Sequence, residues 1–329
     1  MRVLVTGATS LLARRTAESL LVRGDEVVVL QRRASSLDTP QVLADVRDAD
    51  AVLRAVEGCD AVIHAAAKVG VVGGWDEYRS INVDGTANVI AAARQHGVSR
   101  VVHVSTPSVA HAGESLVGAQ AEPPTTGRSG AWYAESKAVA ERLVLGSASD
   151  ALPVVVVRPH LVWGPGDTQL VGRIVERAKA GKLALVGGGT ALIDTTYIDG
   201  AASALVAALD AAVPGAACIG RSYVIANGEP RPIRELVLGI CRAAGVEVEP
   251  RNVPLKLAVG LGAVVEKVWS VRGRDDEPPL TRFLAEQLGT AHWFDPRPAR
   301  DDLGWSPTVS IDQGLALLAE WYATGAPAV

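Results

Sequence analysis

The 329-residue sequence has few cysteines and no segment typical of a membrane protein. Cys59, Cys218 and Cys241 are far apart and form no CxxC pair, so we interpret them as small buried side chains in a reducing compartment. No apolar run reaches the roughly 18 to 20 residues that span a bilayer. Met1 and Arg2 lead directly into a strand pattern and leave no room for a signal peptide. The sequence therefore predicts a soluble cytoplasmic protein.

Basic clusters and metal-ligand motifs are also missing. The formal net charge is −4 and the longest basic run is Arg32-Arg33, which argues against a nucleic-acid partner because binding to phosphates needs a basic surface. The six histidines show no HExxH or other paired spacing, so we expect no metal site. With 48% hydrophobic and 21% charged residues, the chain is globular and long enough for one large or two ordinary domains.

The first half of the chain alternates short β-branched runs with longer segments of helical periodicity. The predicted strands are 2–6, 26–30, 41–44, 61–65, 100–105 and 153–158. The predicted helices are 11–23, 49–56, 77–96 and 131–146. The strands are continuously apolar, as expected for a parallel sheet that is covered on both faces. The pattern predicts an α/β fold with a doubly wound parallel (Rossmann) sheet.

This alternation ends after Pro159, where glycine-rich turns at 164–166 and 186–189 interrupt the chain. Short strands at 194–198 and 223–226 flank one more helix, and the remainder is mostly helical with proline interruptions. We therefore expect a smaller, discontinuous, mainly helical substrate domain. The predicted boundaries are 1–164 and about 190–228 for the NADP-binding domain, and about 165–189 and 229–329 for the substrate-binding domain.

The first strand leads into a tight turn and a helix start, an arrangement that directs backbone N–H groups at a pyrophosphate. The TGxxGxxG pattern is only partly present: Gly7 fits, whereas Ser10 and Ala13 stand at the other two glycine positions. Ala13 still allows close helix–strand packing, and the Ser10 hydroxyl could donate to a phosphate. The predicted contacts are Gly7, Thr9, Ser10, Leu11 and Leu12. The alternative is an ordinary strand-to-helix turn.

The end of the second strand indicates which nicotinamide cofactor is bound. An acidic residue there holds the ribose 2′-OH of NAD, whereas an arginine pairs with the 2′-phosphate of NADP. Here the chain reads Gln31-Arg32-Arg33, with no acid. We predict that NADPH is preferred over NADH, with Arg32, Arg33 or both on the 2′-phosphate. The alternative is a solvated basic loop.

Tyr133 and Lys137 are four residues apart in a predicted helix, which places a phenol and an ammonium on one face. A nearby ammonium lowers the pKa of a phenol, which can then give a proton to a carbonyl oxygen as hydride arrives. Ser105, Thr106 and Ser108 follow a strand and offer a second hydroxyl to polarise that oxygen. YxxxK also arises by chance on exposed helices. Its position after the phosphate loop and the hydroxyl-rich strand end favours a catalytic site.

Further short motifs occur in a fixed order along the chain. They are Thr6-Gly7, Asp45-Val46, His64-Ala65-Ala66-Ala67, Asn82-Val83-Asp84-Gly85-Thr86, Tyr133 with Lys137, Arg158-Pro159 and Gly164-Pro165. With these motifs the chain resembles the extended short-chain dehydrogenase/reductase family over nearly its whole length. The resemblance implies that Asp45 and Val46 hold adenine and that Ala65, Ala66 and Ala67 line the phosphates and ribose. It also implies that Lys137 bonds the nicotinamide ribose and that Pro159 and Leu161 flank the nicotinamide. Thr106 is, by the same resemblance, the residue that polarises the carbonyl.

Longer strings narrow the resemblance to one branch of this family. They lie at 105–109, 164–171, 194–199 and 277–284. The branch contains the 3β-hydroxysteroid dehydrogenases and, more similar to this chain, the bacterial 2-alkyl-3-oxoalkanoate reductases of long-chain olefin biosynthesis. This resemblance implies NADPH-dependent reduction of a 2-alkyl-3-ketoacid to the 2-alkyl-3-hydroxyacid.

Three other functions stay open at this point. A sterol or 3β-hydroxysteroid dehydrogenase needs a similar apolar pocket. A sugar-nucleotide epimerase or dehydratase shares the fold and YxxxK, but is expected to retain NAD and to carry an acid after the second strand. A catalytically inactive NADP-binding sensor is suggested by Ser10, although Tyr133 and Lys137 are both present.

The substrate is expected to be a hydrophobic small molecule. Ser108 and His160 are the candidate substrate contacts, with a buried core histidine as the alternative reading of His160. Residues 253–271 form a helix that is apolar around much of its circumference. It either packs within the second domain, covers an acyl chain, or contacts a membrane surface or a pathway enzyme through 253–274 with help from Arg272 and Arg274. A homodimer is the candidate oligomer.

Overall fold

A seven-stranded parallel sheet organises the fold. The computed structural model describes residues 1–110, 113–127, 131–272, 278 and 280–325. The sheet strands are β1 (Arg2–Thr6), β2 (Glu26–Gln31), β3 (Gln41–Leu43), β4 (Ala61–His64), β5 (Arg100–Val104), β7 (Val154–Pro159) and β12 (Arg221–Ile225). Their order is β12-β7-β5-β4-β1-β2-β3, with every neighbouring pair parallel. This topology confirms the predicted doubly wound α/β fold.

Helices cover both faces of this sheet, which explains why its central strands are apolar throughout. They are α1 (Leu11–Arg23), α2 (Ala49–Val56), α3 (Trp75–Tyr78), α4 (Gly85–Gln95), α5 (Trp132–Ser147), α6 (Val171–Lys179), α7 (Ile198–Ala211), α8 (Ile233–Ala243), α9 (Leu255–Arg272), α10 (Arg282–Gly289), α11 (Arg297–Leu303) and α12 (Ile311–Ala323). One face packs on Leu20 of α1 and Leu205 of α7. The other packs on Val52 of α2, Val89 of α4 and Val144 of α5.

The helical segment predicted over 77–96 is confirmed, but it is not a regular α-helix throughout. The structure has α3, then a π-helical turn at Arg79–Asp84, and then α4. The wider turn carries Asn82, whose side chain is almost fully buried and is hydrogen-bonded outside the helix. Such turns are frequent at functional sites, because they displace one residue from the regular helical register.

The remainder of the chain contains short strands as well as helices. These are β6 (Leu116–Ala119), β8 (Val162–Trp163), β9 (Ala184–Val186), β10 (Leu192–Ile193), β11 (Thr196–Tyr197), β13 (Arg231–Pro232), β14 (Arg251–Val253) and β15 (His292–Phe294). Four of them form a small mixed sheet in the order β13-β10-β15-β6. Because β6 and β10 come from stretches assigned to the NADP-binding domain, the two parts interlock, and the domain boundaries stay a prediction.

Helix α9 is the apolar helix predicted over 253–271, and it is only partly covered. It packs on α10 through Ala258, which is fully buried, and through Gly262, where a Cβ atom would lie 2.6 Å from the backbone nitrogen of Arg282. Leu257 and Val264 on its outer side are 53% and 60% exposed. Across the described ranges no helix combines the length and the apolarity needed to span a membrane. The predicted membrane or enzyme contact stays a prediction, and Arg274 and the Arg272 side chain lie outside the described residues.

Candidate active site

A cleft of about 520 Å³ opens at the carboxyl edge of the large sheet, where ligands bind in doubly wound folds. The ends of β1, β2, β4 and β5 and the start of α5 line it. Most of the predicted cofactor contacts lie on its wall: Gly7, Thr9, Ser10, Leu12, Arg32, Asp45, Val46, Ala65, Ala66, Ala67 and Lys137. The strand ends bring these residues together from distant parts of the sequence.

The turn after β1 is built for close approach of two backbones. Gly7 has a φ of 77°, and a Cβ atom there would lie 2.8 Å from the Cα atom of Ala66. Only glycine fits at this position. Ser10 is the N-cap of α1, and its hydroxyl oxygen accepts from the backbone N–H of Ala13 at 3.4 Å. Ser10 therefore has a structural reason to replace glycine, and its own proton can still be donated to a ligand.

A buried hydrogen-bond network fixes the loop after β4 against this turn. The backbone N–H groups of Ala65 and Ala66 donate to the Thr6 hydroxyl at 3.1 and 3.0 Å. The Thr86 hydroxyl gives its proton to the Asn82 carbonyl at 2.6 Å, so the contact of 3.0 Å between His64 Nε2 and Thr86 requires a proton on Nε2. We therefore assign His64 Nδ1 as the acceptor from Thr6, at 2.8 Å. Burial and the Lys137 charge lower the pKa of His64 to about 3, so the ring is neutral.

The two arginines after β2 are not equivalent. Both are exposed, but Arg32 lines the cleft together with Asp45, whereas Arg33 is not among the lining residues. The Arg47 guanidinium holds the pKa of Asp45 below its usual range, and the charge of Arg32 adds to this. Of the two candidates for a 2′-phosphate contact, the geometry favours Arg32.

Lys137 lies almost fully buried under the end of β5. Its ammonium donates to the Val104 carbonyl at 2.6 Å and contacts His103 Nε2 at 3.3 Å. Burial lowers the pKa of Lys137 to about 8, and the carboxylate of Glu141, one turn further along α5, opposes this shift. A charged form therefore still predominates at neutral pH, because the pKa stays above 7.

The predicted lowering of the Tyr133 pKa by Lys137 is wrong for this structure. Burial instead raises the pKa of Tyr133 to about 12, and a hydrogen bond with the Thr106 hydroxyl only partly opposes it. Lys137 does not lower this pKa because its ammonium is bonded to the Val104 carbonyl and to His103. With this pKa, Tyr133 is a protonated phenol at neutral pH.

The three hydroxyls after β5 have different environments. Ser105 donates to the Glu141 carboxylate at 2.5 Å, and so it is engaged within the core. Thr106 is hydrogen-bonded to Tyr133 and donates to Ser108 at 3.3 Å. Thr106 is therefore the hydroxyl that shares a site with the phenol, as the family resemblance implies.

A small, separate pocket of about 10 Å³ lies beside the turn after β5, and the two predicted substrate residues both line it. Its lining residues are Pro107, Ser108, Leu116, His160, Gln287, His292 and Phe294. The His160 ring packs edge-to-face against Phe294 and His292, with centroids 5.1 and 5.6 Å apart. Sequence reasoning missed His292 and Phe294, because β15 is only three residues long and lies far from His160 in the chain.

Four predicted cofactor residues are not among those that line the cleft: Leu11, Arg33, Pro159 and Leu161. Leu11 and Leu161 pack on the apolar cluster around Trp163. Leu161 has a φ of 42°, and among the described non-glycine residues it is the one with a positive φ. The contacts predicted for these four residues stay predictions.

Asn82, the first residue of the motif at 82–86, has no predicted role in the sequence analysis, but the structure places it at the site. Its side chain accepts from the Lys68 N–H at 2.7 Å and donates to the Lys68 carbonyl at 3.0 Å and to the Ser136 hydroxyl at 2.9 Å. Ser136 in turn donates to the Tyr133 carbonyl at 2.9 Å. Asn82 thus ties the wall of the cleft to the first turn of α5. The motif at 82–86 was the sequence feature that could have indicated this role.

The comparisons with known proteins agree with this geometry. The model of the NAD dependent epimerase/dehydratase family matches residues 3–226. Among curated proteins, the chain is similar to 2-alkyl-3-oxoalkanoate reductases of Stenotrophomonas maltophilia (46% identity, 97% of this chain and 98% of the relative) and Shewanella oneidensis (38%, 95% and 84%). It is also similar to a 3-beta-hydroxysteroid dehydrogenase of Mycolicibacterium neoaurum (31%, 98% and 91%).

A solved structure of similar fold is the UDP-glucose 4-epimerase of Thermus thermophilus in complex with NAD. It has 26% identity and a TM-score of 0.72, and the match covers 100% of both chains. The match to the family model covers more than half of the chain, and the relatives match over nearly all of it. The chain therefore belongs to the NAD dependent epimerase/dehydratase family, within the extended short-chain dehydrogenases/reductases, and is an NAD(P)-dependent oxidoreductase.

Proposed function

We propose that the protein uses NADPH to reduce a ketone to a secondary alcohol, and that its substrate is a 2-alkyl-3-oxoalkanoate, which becomes the 2-alkyl-3-hydroxyalkanoate. The observation that carries this proposal is the position of the Tyr133 phenol and the Lys137 ammonium together on the wall of the dinucleotide cleft, with the Thr106 hydroxyl near the phenol. A protonated phenol beside a second hydroxyl is suited to a carbonyl oxygen that gains negative charge.

The residues of the cleft fit a dinucleotide. The glycine turn at Gly7 and the N-terminus of α1 would hold the pyrophosphate, Asp45 and Val46 the adenine, and Arg32 a 2′-phosphate. When bound, the nicotinamide supplies a hydride. The contribution of the protein is then to bind this group, to orient the ketone and to move one proton.

Three side chains perform the proton transfer in this proposal. Thr106 donates a hydrogen bond to the ketone oxygen, and Tyr133 transfers its proton to that oxygen as the negative charge develops. In this proposal the N–H of the Lys137 ammonium that binds neither Val104 nor His103 turns to the phenolate left on Tyr133 and stabilises it only as the proton leaves. At neutral pH Tyr133 is protonated, as reduction requires, and burial raises its pKa to about 12.

The substrate class rests on the relatives. The two reductases named for 2-alkyl-3-oxoalkanoates are 46% and 38% identical, against 31% for the steroid dehydrogenase. A sterol dehydrogenase is the second candidate. The chain lacks the acid at positions 31–33 that an NAD-retaining epimerase is expected to carry.

Oxidation of NADPH by the purified protein tests this function. We expect turnover with a freshly prepared 2-alkyl-3-oxoalkanoate, and the reverse reaction with NADP⁺ and the stable 2-alkyl-3-hydroxyalkanoate. A 3β-hydroxysteroid with NADP⁺ or NAD⁺ is the competing substrate. We expect its kcat/KM to be lower than that of the 2-alkyl-3-hydroxyalkanoate by about tenfold or more, equivalent to about 1.4 kcal/mol of transition-state binding. A higher kcat/KM for the steroid would assign the protein to the second candidate.

Cofactor choice can be tested separately with the two arginines after β2. We expect Arg32→Ala to reduce the preference for NADPH over NADH by about tenfold or more, because it removes a charge-assisted bond to the 2′-phosphate. Arg33→Ala is the matched control and should change the preference less than twofold, since Arg33 is not on the wall of the cleft. The measurement is kcat/KM for each cofactor. An unchanged preference in Arg32→Ala would contradict the assignment.

A further inference from the structure

We propose that His103 is a positioning residue, whose Nε2 atom accepts a hydrogen bond from the Lys137 ammonium and holds this charge in place beside the catalytic pair. The inference rests on the proposed reductase function, because the importance of Lys137 follows from that chemistry. It adds a residue that neither the YxxxK spacing nor the strand-end hydroxyls indicate.

The contacts of the ammonium are the first step. His103 lies in β5 and is 1% exposed, and Lys137 in α5 is 3% exposed. An ammonium has three N–H donors. One is directed to the Val104 carbonyl at 2.6 Å and a second to His103 Nε2 at 3.3 Å. One donor remains for the cofactor or for Tyr133, so the position of His103 determines where that last donor points.

The protonation state of His103 is the second step. Burial, the Lys137 charge and the neighbouring His64 hold the pKa of His103 well below its ordinary value, so the ring is neutral. A neutral ring that accepts at Nε2 carries its proton on Nδ1. His64, whose ring centroid is 5.4 Å away, is neutral as well and is turned by Thr6 and Thr86 into its own network. Lys137 is thus next to two uncharged imidazoles and does not face a second cation on this side.

The remaining polar groups around Lys137 complete the electrostatic picture. Glu141 lies one turn further along α5, and its carboxylate favours the charged ammonium. That carboxylate is itself bonded to Arg158 of β7 and to Ser105. Tyr133 lies one turn earlier on the same helix. The direct acceptors of the ammonium are therefore Val104 and His103, and of these two only His103 can be replaced by substitution of a side chain.

The burial of an imidazole at this position calls for an explanation. The flanking strand residues Val101, Val102 and Val104 are apolar, and a fourth valine would pack between the same helices. Within the described part of the chain, His103 Nδ1 has no hydrogen-bond partner, and an unpaired buried N–H is unfavourable. The bond from Lys137 to Nε2 accounts for the presence of a ring that packing alone does not require.

The test compares His103→Leu, which removes the acceptor, with His103→Gln, which keeps one, in the cofactor-loaded enzyme. We expect His103→Leu to lower kcat about tenfold with less than a twofold change in KM for the ketone. Loss of an acceptor disfavours the ammonium, so the basic limb of the kcat/KM profile should move to lower pH by half a unit or more. His103→Gln should keep most of the normal kcat, and its basic limb should lie close to that of the unmodified enzyme. A normal kcat and an unmoved limb in His103→Leu would overturn the proposal.

A double-mutant cycle separates positioning from packing. In a Lys137→Met background, His103→Leu should change the residual rate less than twofold, because its effect passes through the ammonium. A full tenfold loss in that background would contradict the proposal and assign His103 to packing.

A measurement that leaves His103 in place covers the case in which His103→Leu does not fold. ¹⁵N NMR of the histidine side chains should show His103 protonated at Nδ1, with an Nε2 resonance that moves in Lys137→Met. Protonation at Nε2, or no response to Lys137→Met, would contradict the proposal. This readout needs no substrate, so it stays informative even if no ketone is turned over and the proposed function fails.

Discussion

Tyr133→Phe is expected to lower kcat by about 10³-fold while leaving the affinity for NADPH within about threefold of the unmodified enzyme. Phenylalanine keeps the ring but removes the hydroxyl that the proposed mechanism uses to protonate the ketone oxygen, and loss of a general acid costs about 10² to 10⁴ in rate. The cofactor contacts of the cleft come from other residues, so its binding should be retained. Stopped-flow measurement of ketone reduction gives the rate, and fluorescence titration with NADPH gives the cofactor affinity.

Tyr223→Phe is the matched control for this substitution. Tyr223 is also buried, and its hydroxyl donates to Asp302 at 2.6 Å, away from the cleft. We expect its turnover to stay within about twofold of normal, since only a structural hydrogen bond is lost. Normal turnover in Tyr133→Phe would show that another group delivers the proton, and the proposed mechanism would be wrong.

The second large effect concerns stability. Glu141→Leu is expected to lower the free energy of unfolding by about 3 to 5 kcal/mol, because it leaves the buried Arg158 guanidinium without its counter-charge. Arg158 and Glu141 are 1% and 0% exposed and are joined at 2.6 Å. The same carboxylate accepts from Ser105 and Ser222, each at 2.5 Å. One side chain thus links α5, the strand end after β5, β7 and β12.

Urea denaturation measures this change, with two comparisons. Glu18→Gln breaks an exposed pair with Arg14, joined at 3.0 Å, and should cost less than about 1 kcal/mol. The double variant Glu141→Leu with Arg158→Met removes both charges and should recover part of the loss. A loss for Glu141→Leu as small as that for Glu18→Gln would show that the buried pair does not support the sheet.

The large sheet and the phosphate turn could be predicted from the sequence because their causes are local. Parallel strands covered on both faces are continuously apolar, and Gly7 follows such a strand directly. The identity of the reacting hydroxyl could not be derived locally. Ser105 and Thr106 are adjacent and chemically alike, and the difference between them comes from Glu141 on α5, which binds the first and leaves the second near Tyr133.

The small mixed sheet and the environment of Lys137 were missed for a related reason. Strands of two to four residues, such as β10 and β13, are too short to produce an alternating pattern. The pKa of Tyr133 was predicted from a partner on its own helix. In the structure, strand atoms of Val104 and His103 bind that partner, and burial then decides the pKa.

The π-helical turn at Arg79–Asp84 makes the number of residues between β4 and α4 as important as their identity. Removing one residue from this turn would give a regular α-helix and rotate what precedes it by about 100° relative to α4. Asn82 could then no longer reach Lys68 and Ser136 while Thr86 still meets His64. A deletion of a single codon here would therefore disconnect α5 from the wall of the cleft while leaving the Gly7 turn, Tyr133 and Lys137 in the sequence.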